Sequence, residues 1–384
     1  MDYIKVLSDL IAIDTSVPPG QNYERAVEYL EPLFRQVGFT TSRVLIPAEH
    51  TEAGKERVNL LAHRRSTGKP RLIFYGHIDV VPAQGWDAFT PRVENGKIYG
   101  RGAADMKGAI VALLLALEGI KQQPLRYDTS VMITTDEEVG QASQLRYLAQ
   151  HIMPVAGSYI FNLDSSFGFV AIASLGALHV DIVVKGKSVH SALSHMGENA
   201  VEKANRLVTA LLRLKEEVVK RKSRIAVHPE TGLEKMEARL NVNMIKGGLK
   251  VNIVPDECVI SVDRRLIPEE NLEDARRELL DTLSGVKDVR WEIGRIIAIP
   301  SAPPCTDPIT DELAAVIQQV TGASGKFGEM GSGDLPHIVA EWGGKEFSLG
   351  VIRSECNIHG KNEYVYRRDI EDLSLIISRF VTAP

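Results

Sequence analysis

The stretch YGHIDVVPAQGW, residues 75–86, decides how this chain is read. It overlaps the end of RLIFYG at 71–76, an apolar run of strand length, and places His77 and Asp79 where that strand stops. A chain turning out of a strand draws on Gly, Pro or Asn, so neither residue is needed for the turn. Two readings stand side by side. Either this is ordinary surface polarity, or His77 is a metal ligand and Asp79 the carboxylate that orients it.

Outward from this point the pattern repeats. Strand-like runs lie at TTSRVLI (40–46), RVNLLAH (57–63), TSVMITT (129–135), SYIFNL (158–163) and EFSLGVI (346–352). Helical spacing lies around them: Ile4, Leu7, Leu10 and Ile11; Ala26, Leu30, Leu33, Phe34 and Val37; residues 106–120; QLRYLAQHI; and ITDELAAVIQQVTG. Apolar strands alternating with helices predict an α/β fold, a mostly parallel sheet covered by helices on both faces. The rhythm changes after Leu175. From ALHVDIVVKG to VRWEIGRI the order is βαββαβ, a small sheet with two helices on one face. The expected plan is a discontinuous α/β domain, 1–176 and 296–384, interrupted by an α+β insertion, 177–295.

Composition excludes several classes. A net charge of −5 gives no support for nucleic-acid binding, which needs a basic face. Cys258, Cys305 and Cys356 lie far apart without a C-x-x-C pair, against a disulfide framework or thiolate zinc site. AIVALLLAL at 109–117 falls short of the ~20 residues of a membrane span. With no signal-peptide pattern at the N-terminus, the expectation is a cytoplasmic protein without membrane partners. No G-x-G-x-x-G follows the first strand and no Walker lysine occurs, which argues against nucleotide binding.

Three strand ends carry chemistry: His77 and Asp79 after RLIFYG, Asp136-Glu137-Glu138 after VMITT, and Asp164 after YIFNL. Ligands bind at the carboxyl ends of strands in open α/β sheets, so one fold can gather all three. Asp105, in YGRGAADMKG, precedes a long apolar helix, where an aspartate is ordinarily an N-cap. Together the residues suit another role. Divalent metals bind imidazole and carboxylate, and a bridging carboxylate can serve two ions ~3.5–4 Å apart. Of two adjacent glutamates, one can bind metal while the other takes a proton from water.

HIDVVP, GRGAADMKG and TTDEEVG, in this order and spacing, resemble the acetylornithine deacetylase / succinyl-diaminopimelate desuccinylase family of co-catalytic metallohydrolases, which includes carboxypeptidases, aminoacylases and dipeptidases. The likeness continues through GKSVHSALSHMGENAVEKA, KVNIVPDECVISVDRRLIP and NIHGKNEYV. It implies that His77 and Asp164 hold one metal, Glu138 and His359 the other, and that Asp105 bridges them. Asp79 would orient His77, and Glu137 would be general base and acid. The insertion would be a lid and dimerisation domain whose His190 reaches a partner subunit's site and steadies the oxyanion. Asn252 and Arg265 would hold the substrate's carboxylate, with Arg264 a solvated neighbour. The loop GEMGSGDLP, with Gly331, Ser332 and Gly333, resembles the family's substrate loop. A cis peptide between Asp105 and Met106 is also implied.

The resemblance thus implies a binuclear metal amidohydrolase of a small N-acyl amino acid, with two divalent ions, Zn²⁺ foremost and Co²⁺ or Mn²⁺ also suited. A metallo-exopeptidase of the same family is the alternative. Asp164 stands in NLDSS where the deacetylases and desuccinylases carry Glu before Pro; Asp is more typical of the dipeptidase and aminopeptidase branches. GRGAADMKG is closest to the desuccinylases. A non-catalytic scaffold of the same fold is a remote third reading, disfavoured because it would not need a base beside a metal.

Overall fold

The computed structural model describes residues 1–382. They form two compact units. The first comprises Met1–Ile172, Cys305–Phe327 and the chain from His337 onward; the second comprises Ala173–Pro304 and Gly328–Pro336.

Eight strands among the described residues share one sheet, whose first six lie wholly in the first unit. Their order is Thr40–Ile46, Arg57–Arg64, Asp128–Thr134, Arg71–His77, Tyr159–Asn162, Lys345–Ser348, Val170–Ser174, Lys326–Glu329. The four central strands, Asp128–Thr134 to Lys345–Ser348, run parallel. The pairings of the first three strands, and that of Ser348 with Ala171, are antiparallel. Burial explains the parallel centre. Leu72–His77 and Thr129–Thr134 are buried at every position, without the alternation of a half-exposed strand, so both faces are covered.

Aromatic packing ties these strands together. The Phe161 ring lies 5.2 Å from Phe74 and 5.1 Å from Phe347, joining three neighbouring strands, and 5.9 Å from Phe380 of helix Arg367–Val381. Each fully buried phenylalanine contributes ~1.5–3 kcal/mol over exposure. Register then brings the strand ends level: His77 pairs with Thr134 and Tyr75 with Asn162. The loops after these three strands therefore emerge side by side.

The helix expected from Met106 begins at Gly108 and runs to Gly119. A π-turn, Ala103–Lys107, precedes it, with Asp105 (φ −118°, ψ 89°) and Met106 (φ −134°, ψ 23°) outside helical geometry and the Asp105–Met106 peptide cis. A side chain at position 108 would come within 2.3 Å of the Ala103 carbonyl oxygen, so only glycine lets the turn close. Asp105 is not an N-cap: Lys107 holds that position, and no side chain caps the helix there.

The second unit is built around an antiparallel sheet in the order Arg239–Gly247, Glu257–Leu266, Gly176–Lys185, Arg290–Ile299. With helices Ala200–Val218 and Leu272–Ser284 the chain order is βαββαβ. Strict alternation places Leu178, Val180, Ile182 and Val184, with Cys258, Ile260 and Val262, in the core. Arg264 shares that parity, and the expectation of a solvated side chain is overturned. It is 1 % exposed and ion-paired with Glu270. A guanidinium carried by strand geometry into an apolar layer needs a buried counter-charge. No helix among the described residues is long and apolar enough to cross a membrane.

Candidate metal centre

The parallel sheet and the turns around it assemble two groups of side chains. His77, Glu137 and Asp164 each place a ligand atom within 4.8 Å of the others, and Asp105, Glu138 and His359 do the same. His77 ends a central strand. Glu137 and Glu138 begin the short turn Glu137–Val139, and Asp164 follows strand Tyr159–Asn162. His359 comes from a distant loop, in the left-handed region at φ 61°.

Asp105 lies between the two groups. Its Oδ1 is 3.5 Å from His77 Nε2 and its Oδ2 is 3.0 Å from His359 Nε2. His359 Nε2 also lies 3.1 Å from Glu138 Oε2, and His77 Nε2 lies 3.8 Å from Asp164 Oδ2. The two oxygens of one carboxylate thus face two different imidazoles, as a bridging ligand requires.

His77 provides the test of fit. It is fully buried, and its Nε2 makes no hydrogen bond. A buried ring nitrogen in that condition costs free energy unless something meets it. The other ring nitrogen, Nδ1, sits 3.1 Å from the Asp79 carbonyl oxygen and 3.4 Å from Asp79 Oδ1. A ring that donates from Nδ1 presents the lone pair of Nε2 to the acidic cluster, as for a metal-bound histidine. Asp79 also accepts the Glu138 backbone N–H on Oδ2 at 3.0 Å, so this one residue meets a member of each group, His77 through its carbonyl and Glu138 through its carboxylate. Imidazole and carboxylate donors suit zinc, cobalt and manganese.

Electrostatics point the same way. Burial alone would lower the His77 pKa, but Asp79, Asp105 and Asp164 outweigh it and hold the pKa well above the ordinary value. Hydrogen bonds to Asp105 and Glu138 raise His359 to about 10. Burial and the Asp105 charge push Glu138 up. Burial pushes Asp105 up as well, but the hydrogen bond from His359 and the charge of nearby His77 hold it below the usual carboxylate range. A metal ion binds deprotonated imidazole, so a cation held here competes with protons for these nitrogens.

The remaining expected residues lie in the second unit. His190, exposed, is in strand Val189–His190, which pairs with Ile253–Val254, and the Ser191 N–H donates to the Asn252 carbonyl at 3.0 Å. Arg265 donates from Nε to Asp263 Oδ1 at 2.9 Å and from Nη1 to Ser332 Oγ at 3.0 Å. The Gly331 carbonyl accepts from Leu175 N–H at 3.0 Å, and Gly333 follows in the same segment.

One residue escaped the sequence reading. Glu363, fully buried, accepts from the backbone N–H groups of Gly102, Ala104 and Asp105 at 3.0–3.1 Å and from Arg101 Nη1 at 2.7 Å. Arg101 also donates to the Gly360 carbonyl at 3.0 Å. One carboxylate therefore joins the loop of His359 to the turn of Asp105. Its place in NIHGKNEYV, four residues after a candidate ligand, was the available signal. Glu363→Ala is expected to cost ~3–5 kcal/mol by leaving Arg101 buried and unpaired, and ~10–100-fold in metal affinity by loosening the turn. Urea unfolding and metal titration measure the two effects.

Comparison with known proteins supplies a family and a fold. The family model described as Peptidase family M20/M25/M40 matches residues 73–383. A probable succinyl-diaminopimelate desuccinylase of Staphylococcus epidermidis is 30% identical over 293 residues, 70% of this chain and 68% of that protein. An acetylornithine deacetylase of Myxococcus xanthus is 28% identical over 288 residues, 72% and 70% of the two chains. Among solved structures, the M20 family metallo-carboxypeptidase Sso-CP2 of Sulfolobus solfataricus superposes with a TM-score of 0.80 at 16% identity, covering 99% of this chain and 98% of that one. At that identity the likeness speaks for the fold.

Proposed function

The chain belongs to peptidase family M20/M25/M40, and from that membership we propose that it is a binuclear metal-dependent amidohydrolase that removes the acyl group of a small N-acyl amino acid. The observation that carries the reading is Asp105, whose two carboxylate oxygens face His77 and His359 separately. His77, Asp105 and Asp164 would hold one ion, and Asp105, Glu138 and His359 the other, with zinc the foremost choice. Two ions bound there supply Lewis acidity, polarising the amide carbonyl and making a water easier to deprotonate. Glu137, grouped with His77 and Asp164, takes that water's proton and passes it to the nitrogen of the leaving amine. Arg265, with its guanidinium fork, and Asn252 hold the substrate's carboxylate. The unpaired, buried cysteines support a reducing, cytoplasmic setting.

The desuccinylase and deacetylase names of the relatives favour a deacylase. Asp164 favours the second reading, an exopeptidase. Protein stripped of metal and reloaded with Zn²⁺ or Co²⁺ decides between them, tested on acetylornithine, succinyl-diaminopimelate and a set of dipeptides. Metal-dependent release of the amine from an N-acyl amino acid is expected. Cleavage of dipeptides alone would favour the exopeptidase, and a metal-loaded protein inert toward the whole panel would contradict hydrolysis.

His190 would act in the site of a second copy, donating to the developing oxyanion. The edge strand Arg239–Gly247 supports such pairing: Met244 and Ile245 are exposed, and beyond it Leu249 and Val251 are 98 % and 100 % exposed. Apolar side chains along an unpaired strand edge are suited to burial in a two-fold interface. His190→Ala is expected to lose ~10²–10³ in kcat. Mixed with inactive Glu137→Gln and allowed to exchange subunits, it should regain part of its activity, since one hybrid site keeps both residues. A mixture that stays inactive despite proven exchange would remove His190 from the neighbouring site.

A further inference from the structure

We infer that Arg57 and Tyr23 are positioning residues for Glu137, acting through Asp136; the inference rests on the reading of Glu137 as the proton carrier. Residues 136–138 are three consecutive carboxylates, and they divide. Glu137 and Glu138 join the two candidate metal groups, whereas Asp136 is fully buried on other partners. Its Oδ2 accepts from Arg57 Nε at 2.5 Å and its Oδ1 from the Tyr23 hydroxyl at 2.7 Å. Arg57 and Tyr23 are buried too, and the guanidinium carbon lies 5.3 Å from the centre of the Tyr23 ring. The chain makes room for this arrangement. At Gly20 (φ +77°) a side chain would come within 2.6 Å of Arg57 Nη2.

The backbone shows what the clamp does. Asp136 adopts φ 66°, ψ 19°, a left-handed conformation that non-glycine residues avoid, although Asp tolerates it better than most. Before it lies the extended strand Asp128–Thr134, and after it the 3₁₀ turn Glu137–Val139. This one residue therefore sets the direction in which Glu137 leaves the sheet. Its carboxylate is bonded to helix Tyr23–Gln36 and to strand Arg57–Arg64, which together oppose rotation out of that conformation. Thr135 is held from the same strand, its Oγ1 donating to Asn59 Oδ1 at 3.3 Å, while Gln144 Nε2 donates to the Thr135 carbonyl at 3.1 Å. A displacement of ~1 Å in a reacting group costs ~10²-fold in rate.

Arg57→Gln and Tyr23→Phe test this against wild type, on whichever N-acyl amino acid of the panel wild type cleaves fastest. The expected result is a kcat lowered ~10–100-fold by Arg57→Gln and less by Tyr23→Phe. KM should change within about twofold, since the proposed substrate-holding groups are untouched. Arg57→Lys, which keeps the charge, should recover part of the loss. Crystal structures give a readout independent of turnover, with Glu137 displaced by ~1 Å or more in Arg57→Gln. The charge-neutral pair Arg57→Gln/Asp136→Asn guards against a variant that fails to fold because a buried carboxylate is left unpaired. It should recover melting temperature but not kcat. A Glu137 that stays in place in Arg57→Gln, or a kcat that returns in full with the melting temperature, would overturn the inference. Should wild type cleave no amide while the variant's turn is displaced, the role given to Glu137 fails and the clamp stands.

Discussion

Glu137→Gln is expected to retain its metal and to lose ~10²–10⁴ in kcat, because the amide keeps the shape of the carboxylate and cannot accept a proton. The position of Glu137 makes the effect specific. Its carboxylate belongs to the group of His77 and Asp164, within reach of whatever water sits there, while neighbouring Glu138 stands 3.1 Å from His359 in the other group. Glu138→Gln is therefore expected to weaken one ion, with turnover falling as that ion is lost and recovering in excess metal. Metal analysis after dialysis and kinetics at saturating metal separate the two. A Glu137→Gln protein that loses metal and keeps its turnover would mean that the roles are exchanged.

Asp105 carries the larger consequence for metal. Replacement by Ala removes a donor from both positions at once, and neither ion should survive dialysis. Asp105→Asn is the finer instrument. Its side-chain amide offers one oxygen and one NH₂ group that cannot ligate, so only one of the two contacts, toward His77 or toward His359, can be kept. Ala should leave the protein without ions or activity, and Asn should leave it with a single ion. Two ions retained by Asn would show that Asp105 does not bridge. The loss is not one of folding alone, since Glu363 holds the turn through the Asp105 backbone, which both substitutions keep.

Much of this site was readable because its residues mark the ends of strands. An apolar run closed by His77, or by consecutive acids, is a local pattern, and the parallel sheet brings those ends level. What stayed hidden depends on pairings distant in sequence. Arg57 meets Asp136 across 79 residues, and Glu363 meets the Asp105 turn across 258. Nothing in RVNLLAH announces its partner, and in NEYV the only signal is that Glu363 lies four residues after His359. Arg264 is a different case. Its parity with Cys258, Ile260 and Val262 already put it on the buried face, and its charge masked the pattern. The expected boundaries, 177 and 295, also missed that Gly328–Pro336 packs with the second unit, since a short glycine-bearing segment has no periodicity to assign it. Helix Arg367–Val381, whose Ile370, Leu373, Ile377 and Phe380 are buried, was legible by its spacing and went unread.

Anomalous diffraction at the zinc edge, from crystals of zinc-loaded protein, tests the central claim most directly. Two peaks ~3.5–4 Å apart are predicted, one beside His77 and Asp164, the other beside Glu138 and His359, with Asp105 between them. A single peak, or peaks away from Asp105, would contradict a binuclear centre built on these residues.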